Sequence, residues 1–486
     1  MTRLAAIAWL VLLLPLSARA TTAGAPEPPP QQWYTVLLDG RKIGSFETRR
    51  TRLGDSILTM QRLELVLDRA GSRVAVGSTE AAAETLSGEP LAFHSVSRLS
   101  GADAVVDGLV VGDEVLVSVG SGSERQQRRM PWPHGALLPE GMRLAALREG
   151  LAPGTRYRTL SFQPSSLDTL VMEAVVGEAQ PVDLPGGTRR LVPVAQRLAT
   201  QGMPSRSQVF VDASQAVYKL TMPLMGLELT LLACDRDCAT APNQGVDVFE
   251  HTLARSPRPL GAGELAGGLR YTLALRDAGT PLALPATGQQ SARREGTRWI
   301  VTVQPGGTGG MQPPAAEDYR ANDWLQSDAP EITALAAQAT AGASDPLARM
   351  QRIEGFVRGF IRSKNLGVGY ASALEVARHP EGDCTEHALL VAALGRASGI
   401  ATRIVNGLAY APGFAGGGDV FVPHAWAQAW VDGRWQGFDA ALAGFDAGHI
   451  ALATGDGDPW RFYAGLDMLG RIRIERADAL SAPPAP

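Results

Sequence analysis

Between Gln32 and Thr240 the sequence alternates short β-rich runs with polar and glycine-rich turns, and helical periodicity is scarce. The series opens with WYTVLLDGRKIGSFETRRTR, where Asp39-Gly40 signals a tight hairpin turn, because those residues tolerate the positive φ it needs. SILTMQRLELVLD, SRVAVGS, DEVLVSVG, TLVMEAVVG, RRLVPVAQRL, SQVFVD, AVYKLTMP and LELTLLAC follow. Such runs bury one face each only by pairing side by side. Residues 32–240 are therefore expected to form an antiparallel β domain, a curved sheet or incomplete barrel. Its plain role is a structural platform. Its sharper role is presentation of substrate or of a cell-envelope protein partner.

The pattern changes further on. Residues 241–303 form a small β-rich segment with GLRYTLALRD and TRWIVTVQ, and QPGGTGGMQPPAA at 304–316 reads as a Gly/Pro linker. After the linker, helical spacing appears, opening a domain expected over residues 317–475. ITALAAQATAG is one helix. Ser344-Asp345-Pro346 starts another, with a cap residue before a proline at the first helical position. Met350, Ile353, Val357, Phe360 and Ile361 then recur at three- and four-residue steps on one face. SALEVAR follows as a shorter helix, and residues 476–486 read as a flexible tail. The fold class expected is multidomain: N-terminal antiparallel β, then an α+β domain.

Residues 1–20 have the form of a secretory signal: Arg3, an apolar run from Leu4 to Leu16, and the small-x-small site Ala18-Arg19-Ala20. The run is short for a membrane span, though an uncleaved N-terminal anchor is the alternative. A Pro-rich leader, 21–31, follows, and no later stretch is long and apolar enough to cross a bilayer. The mature chain is expected to be exported, to a bacterial periplasm or by secretion. A formal charge of −4 over 486 residues is mild and argues against nucleic acid as a partner, which would need a basic stripe; lysine occurs only at Lys42, Lys219 and Lys364, and arginine supplies the remaining positive charge.

Export gives the three cysteines meaning. Cys234 and Cys238, in CDRDC, can bridge if their Cα atoms fall within disulfide reach. Cys384, in GDCTEH, is then unpaired. CTEHALLVAALGRASG is a strong helix pattern, with Asp383 as N-cap, Glu386 completing a capping box, Leu389, Ala392, Ala393 and Leu394 on a buried face, and Gly399 just past the end. Cys384 falls in its first turn, where backbone N–H groups favour the thiolate, the nucleophilic form. An inert packed cysteine suits the middle of the buried face better.

A nucleophilic thiol needs a base, and the next histidine past this helix is His424, in FVPHAWAQAWVDGRWQGFDAAL. Asp432-Gly433 is a two-residue hairpin turn, which sets Val431 opposite Arg434. Extending that register sets Trp426 opposite Asp439. His424 shares the face of Trp426, so Asp439 is its diagonal neighbour, roughly 7–8 Å away along the backbone and within side-chain reach. There an aspartate can orient the imidazole and stabilise its charged form.

These residues resemble the transglutaminase-like superfamily over roughly 320–445: GDC opening a helix, RASGIATRIVNG after it, HAW in a strand and W-x-x-FD in the next. The resemblance implies a papain-like α+β core with Cys384 as nucleophile, His424 as base and Asp439 as orienter. Many bacterial members follow the aspartate with Pro-Thr; here Ala440-Ala441 stand there. The implied chemistry is acyl transfer on a protein or peptide amide through a thioester, by hydrolysis or transamidation, with no cofactor. The Cys384 N–H is one oxyanion donor, and Asn365 and Tyr370 are candidates for the second. The competing function is a binding or scaffold protein that keeps the fold without turnover. His387 reads as local packing or capping, and His379 and His449 as loop residues. Trp426, Trp430 and Trp435 read as core or groove walls. A zinc site from Cys384, His387 and His424 fits no common spacing, so no metal is expected.

Overall fold

The computed structural model describes residues 27–480 except 70–71, 99–102, 122–123, 200–203, 225, 248–250, 277–282, 308–311, 365–369, 415–417 and 459–468. The signal-like segment 1–20 and the candidate Asn365 lie outside the described residues. The chain divides into two compact units, Met1–Asp247 and Val248–Pro486.

The first unit is built on one large sheet. Its strands from Gln31–Leu38 to Glu124–Pro131 pair in sequence order, antiparallel throughout. A second series runs from Ala136–Leu137 to Leu227–Cys234, and its last strand returns to pair the first, Trp33 opposite Cys234. The two free edges, Glu124–Pro131 and Ala136–Leu137, are separated in the chain only by residues 132–135. The sheet must therefore curl until its edges are nearly adjacent. One buried cluster spans that gap: Val115 and Val117 from one side, and Ala136, Leu138 and Phe162 from the other. Phe93, Trp132 and Phe162 fill it with ring centroids 4.5–6.4 Å apart. Cys234 and Cys238 form a disulfide, with Cα atoms 6.0 Å apart.

The helix Pro139–Glu149 departs from the all-β expectation for this unit. Its buried side includes Glu140 and Arg143 beside Met142 and Ala146, so apolar periodicity does not announce it. Charge pairing replaces apolar contact there. Two guanidinium groups, Arg50 and Arg143, grip the Glu140 carboxylate at 2.7–3.0 Å. Burial acts to raise the Glu140 pKa, but these cations prevail and hold it near 2. Glu84, fully buried on the neighbouring strand, accepts the N–H groups of Glu140 and Gly141, each at 2.7 Å. It thus supplies the helix start with the acceptor that Leu138, its N-cap residue, lacks.

Among the described residues the second unit combines two larger sheets and a short parallel pair, Ser363–Lys364 with Glu381–Gly382, with helices. One sheet orders Gln290–Glu295, Arg298–Val303, Leu269–Leu275 and Ile472–Ala479. The segment 241–303 is thus tied by register to the far end of the chain, Leu269 opposite Ala479, rather than set apart before a linker. Part of the expected tail, 476–479, is strand for the same reason. The other sheet places Thr402–Ala411 between Val420–Val431 and His449–Gly455, with Arg434–Phe438 on the outer side of Val420–Val431. Helices Pro330–Thr340, Pro346–Phe360 and Cys384–Ala397 accompany it, and the last packs on strands 402–411 and 420–431. Asp345 caps Pro346–Phe360 through the Ala348 N–H at 2.8 Å. Among the described residues no helix is long and apolar enough to cross a membrane, which does not bear on strands.

Candidate active site

Local structure at residue 384 follows from four residues, Gly382, Asp383, Cys384 and Glu386. Gly382 has φ 151°, and a Cβ there would lie 2.5 Å from the Glu386 Cβ, so the close approach requires glycine. Asp383 caps the helix through the Thr385 N–H at 2.8 Å. Glu386 returns the bond, its Oε2 accepting the Asp383 N–H at 2.8 Å and its Oε1 the Ala371 N–H at 3.0 Å. Burial, then the Asp383 charge, push the Glu386 pKa up to about 8. Cys384 opens the helix, partly exposed and outside any disulfide. The helix behind it is buried from Thr385 to Arg396, which fixes the thiol on a rigid element.

The hairpin adopts the register its turn residues imply. Asp432 and Gly433 have φ of 52° and 72°, Val431 faces Arg434, and the ladder ends with Ala427 opposite Phe438. Asp439 follows directly. His424 Nε2–H donates to Asp439 Oδ2 at 2.8 Å. Its remaining ring nitrogen, Nδ1, is left for the Cys384 thiol, with which the ring also hydrogen-bonds.

Asp439 is anchored on every side. Its Oδ1 accepts the N–H groups of Ala441 at 2.9 Å and Leu442 at 3.2 Å, and its own N–H donates to Glu354 Oε1 at 2.8 Å. A second imidazole reaches the same Oδ2: His449 Nε2 at 3.0 Å. Burial acts to raise the Asp439 pKa. The charge of His424 and the bonds to both rings outweigh it and hold the carboxyl well below the usual range. Burial acts to lower the His424 pKa, but Asp439 and Cys384 push it up to about 10. The pair is therefore an ion pair over the neutral range.

His449 was not legible as a site residue. The expectation of a loop gives way to a buried position at the start of strand His449–Gly455. It reaches Asp439 from two strands beyond His424, across Gly407, which stands opposite His424 and carries no side chain. A Cβ at 407 would lie 2.0 Å from the Ile450 carbonyl oxygen and 3.0 Å from the Trp426 ring. No local pattern around DAGHIAL carries that information. Glu354 was missed for the same reason.

The other candidates fall elsewhere. Tyr370 is buried, and its hydroxyl donates to the Gly457 carbonyl at 2.5 Å. His387 is buried with Nδ1 2.6 Å from the Asp383 carbonyl oxygen, and burial lowers its pKa. Trp426 and Trp435 are core residues. Nitrogen atoms of His424 and His449 and a carboxylate oxygen of Asp439 lie within 4.8 Å of one another, a set able to hold a metal ion and different from Cys384, His387 and His424. The hydrogen bonds of 2.8 and 3.0 Å account for both nitrogens without one.

No curated protein matches the chain. Among solved structures, a beta-barrel-like protein of a domain of unknown function from Brucella abortus is 14% identical, covering 44% of this chain and 98% of that one at a TM-score of 0.35. A Cytophaga hutchinsonii protein described as a "putative cysteine protease" is 15% identical, covering 46% of this chain and 89% of that one at a TM-score of 0.27. Residues 333–440 match the family model of the transglutaminase-like superfamily, a span that contains Cys384, His424 and Asp439. The chain carries a domain of the transglutaminase-like superfamily.

Proposed function

We propose that this protein is an exported, cysteine-dependent acyl-transfer enzyme acting on protein or peptide amides, with Cys384 as nucleophile, His424 as base and Asp439 as orienter in a papain-like α+β core. The observation that carries the reading is the chain of contacts from thiol to imidazole to carboxylate, closed by the 2.8 Å bond from His424 Nε2 to Asp439. The Asp439 bond holds the proton on Nε2 in the neutral ring, which leaves Nδ1 to exchange a proton with the thiol.

Cys384 Sγ, as thiolate, attacks the carbonyl carbon and drives its π electrons onto oxygen. The Cys384 N–H, at the helix start, donates to that oxyanion. The His424 imidazolium gives its Nδ1 proton to the departing nitrogen, the C–N bond breaks, and a thioester remains. Water or a second amine, deprotonated by His424, then releases the acyl group. The Tyr370 hydroxyl is already engaged by a carbonyl and is left out of the oxyanion role. The signal-like residues 1–20 and the Cys234–Cys238 disulfide support export to an oxidising compartment.

The test is the alkylation rate of Cys384 against pH, in the mature protein and in His424→Ala. An ordinary thiol titrates near about 8.5. Reactivity that persists well below that pH and collapses in His424→Ala is the expected result, with Cys384→Ala abolishing amide turnover while the circular dichroism is unchanged. A slow, ordinary thiol indifferent to His424 overturns the reading in favour of a scaffold.

A further inference from the structure

We infer that His449 is a positioning residue of this site, a fourth member that holds the Asp439 carboxylate against His424. The inference rests on the acyl-transfer reading above and goes beyond the Cys384, His424 and Asp439 set.

The geometry is specific. Asp439 Oδ2 receives two N–H donors, His424 Nε2 at 2.8 Å and His449 Nε2 at 3.0 Å. His449 is in turn fixed at its other nitrogen. Nδ1 lies 3.2 Å from the Asp446 N–H and 3.0 Å from Asp446 Oδ1. The neutral ring, with its proton on Nε2, accepts from that N–H; the cationic ring donates to that carboxylate. In both states Nε2–H stays aimed at Asp439. The Asp446 carboxylate is itself placed by the Gly448 N–H at 2.8 Å.

Packing holds the ring plane. Phe445 lies 4.9 Å from the His449 ring, Trp426 meets it edge-on at 5.2 Å, and the His424 ring is 5.7 Å away. The residue is 3% exposed. A histidine kept only for its volume has no need of a carboxylate at each nitrogen.

The two carboxylate oxygens of Asp439 are held differently. The Ala441 and Leu442 N–H groups hold Oδ1. They leave the carboxylate able to rotate about the line through that oxygen. His424 alone opposes the rotation at Oδ2, and His424 must shuttle a proton during catalysis. His449, which does not face the thiol, supplies a second tether that persists while His424 changes charge. The groups facing His449 are Asp439, Asp446 and His424, with Glu354 acting through the Asp439 backbone.

The experiment compares two substitutions in the full mature chain. His449→Phe keeps a ring and removes the donor. His449→Gln places an amide N–H near the position of Nε2 and does not titrate. The readout is the pH profile of Cys384 alkylation by an anionic reagent, iodoacetate, which the His424 cation attracts, so that its alkaline limb reports how firmly Asp439 holds the His424 proton. In His449→Phe the rate constant above about pH 10 falls about tenfold, the scale of one hydrogen bond to a charged group, while the rate at neutral pH is little changed. The alkaline limb moves to lower pH, and His449→Gln restores both. If the Phe variant does not fold, His449→Asn, too short to reach Asp439, takes its place. An unmoved limb, or one that moves to higher pH, overturns the inference, while a collapsed profile in His424→Ala leaves the acyl-transfer reading standing. A thiol indifferent to His424 overturns both together.

Discussion

Glu84 in the N-terminal unit and Asp439 in the C-terminal unit make a controlled pair. Glu84 is 0% exposed and Asp439 1%. Each accepts two backbone N–H groups: Glu140 and Gly141 for the first, Ala441 and Leu442 for the second. Yet their protons behave in opposite ways. Burial drives the Glu84 pKa up to about 8, and its backbone bonds only moderate the rise. Burial acts on Asp439 in the same sense, but the two imidazoles reverse the outcome. Backbone donors satisfy a buried carboxylate; a cationic partner decides whether it keeps its charge. One carboxylate is a clasp for a helix, the other a charge held ready.

The sharpest break of this comparison is Asp439→Asn, which lowers turnover by about 10⁴-fold if the orienting role is as proposed, measured as kcat on any amide substrate found. Retained activity would make Asp439 a clasp like Glu84.

Next in size is Glu84→Ala. It leaves two buried N–H groups without their acceptor and costs about 3 kcal/mol in the N-terminal unit, while Cys384 alkylation stays unchanged. Peptide-resolved hydrogen exchange over residues 139–149 measures it. The pH dependence sharpens the same point. The folded pKa of Glu84 is raised, so its contribution is fully present below the unfolded value of about 4.5 and is lost as pH climbs through about 8. His424 is likewise raised, to about 10, so its contribution is lost later, from about 6.5 upward through about 10. Asp439, depressed, contributes above about 3.9 and loses that contribution as pH falls below it. Between pH 5 and 6 protection should already decline at 139–149 and hold at 424–431; a parallel decline would remove the distinction.

The smallest effect belongs to Cys234 and Cys238. The bridge closes a loop with a sequence separation of 4, so replacing both by serine costs about 2 kcal/mol. Intact mass after alkylation without reduction should show one label, on Cys384. Three labels would remove the support the bridge lends to export.

Legibility in the sequence tracked how local each constraint was. Gly382-Asp383, the capping box and Gly399 set both ends of the Cys384 helix, and all lie within it or beside it. Asp432-Gly433 set the hairpin register, and with it the His424–Asp439 diagonal. His449 was illegible because its approach depends on Gly407, on a third strand, and on a register shift between Asn406 and Gly407. Helix 139–149 was illegible because its buried face carries Glu140 and Arg143, whose partners Arg50 and Glu84 lie on other strands. The strand role of 476–479 was missed because its partner, Leu269–Leu275, lies some two hundred residues earlier in the chain.

The four hydrogen-bond donors around the Asp439 carboxylate have one more consequence. A side-chain amide could serve as orienter only by turning its oxygen toward two of the four. Facing the backbone pair, it would present its NH₂ to both imidazoles and force them to offer lone pairs at Nε2. The His424 proton would then sit on Nδ1, against the thiol that it deprotonates in the proposed reaction. Cysteine enzymes elsewhere use asparagine in this position; in this chain the convergence of donors on a single side chain leaves aspartate as the one residue whose two ends are both acceptors and whose reach is short enough.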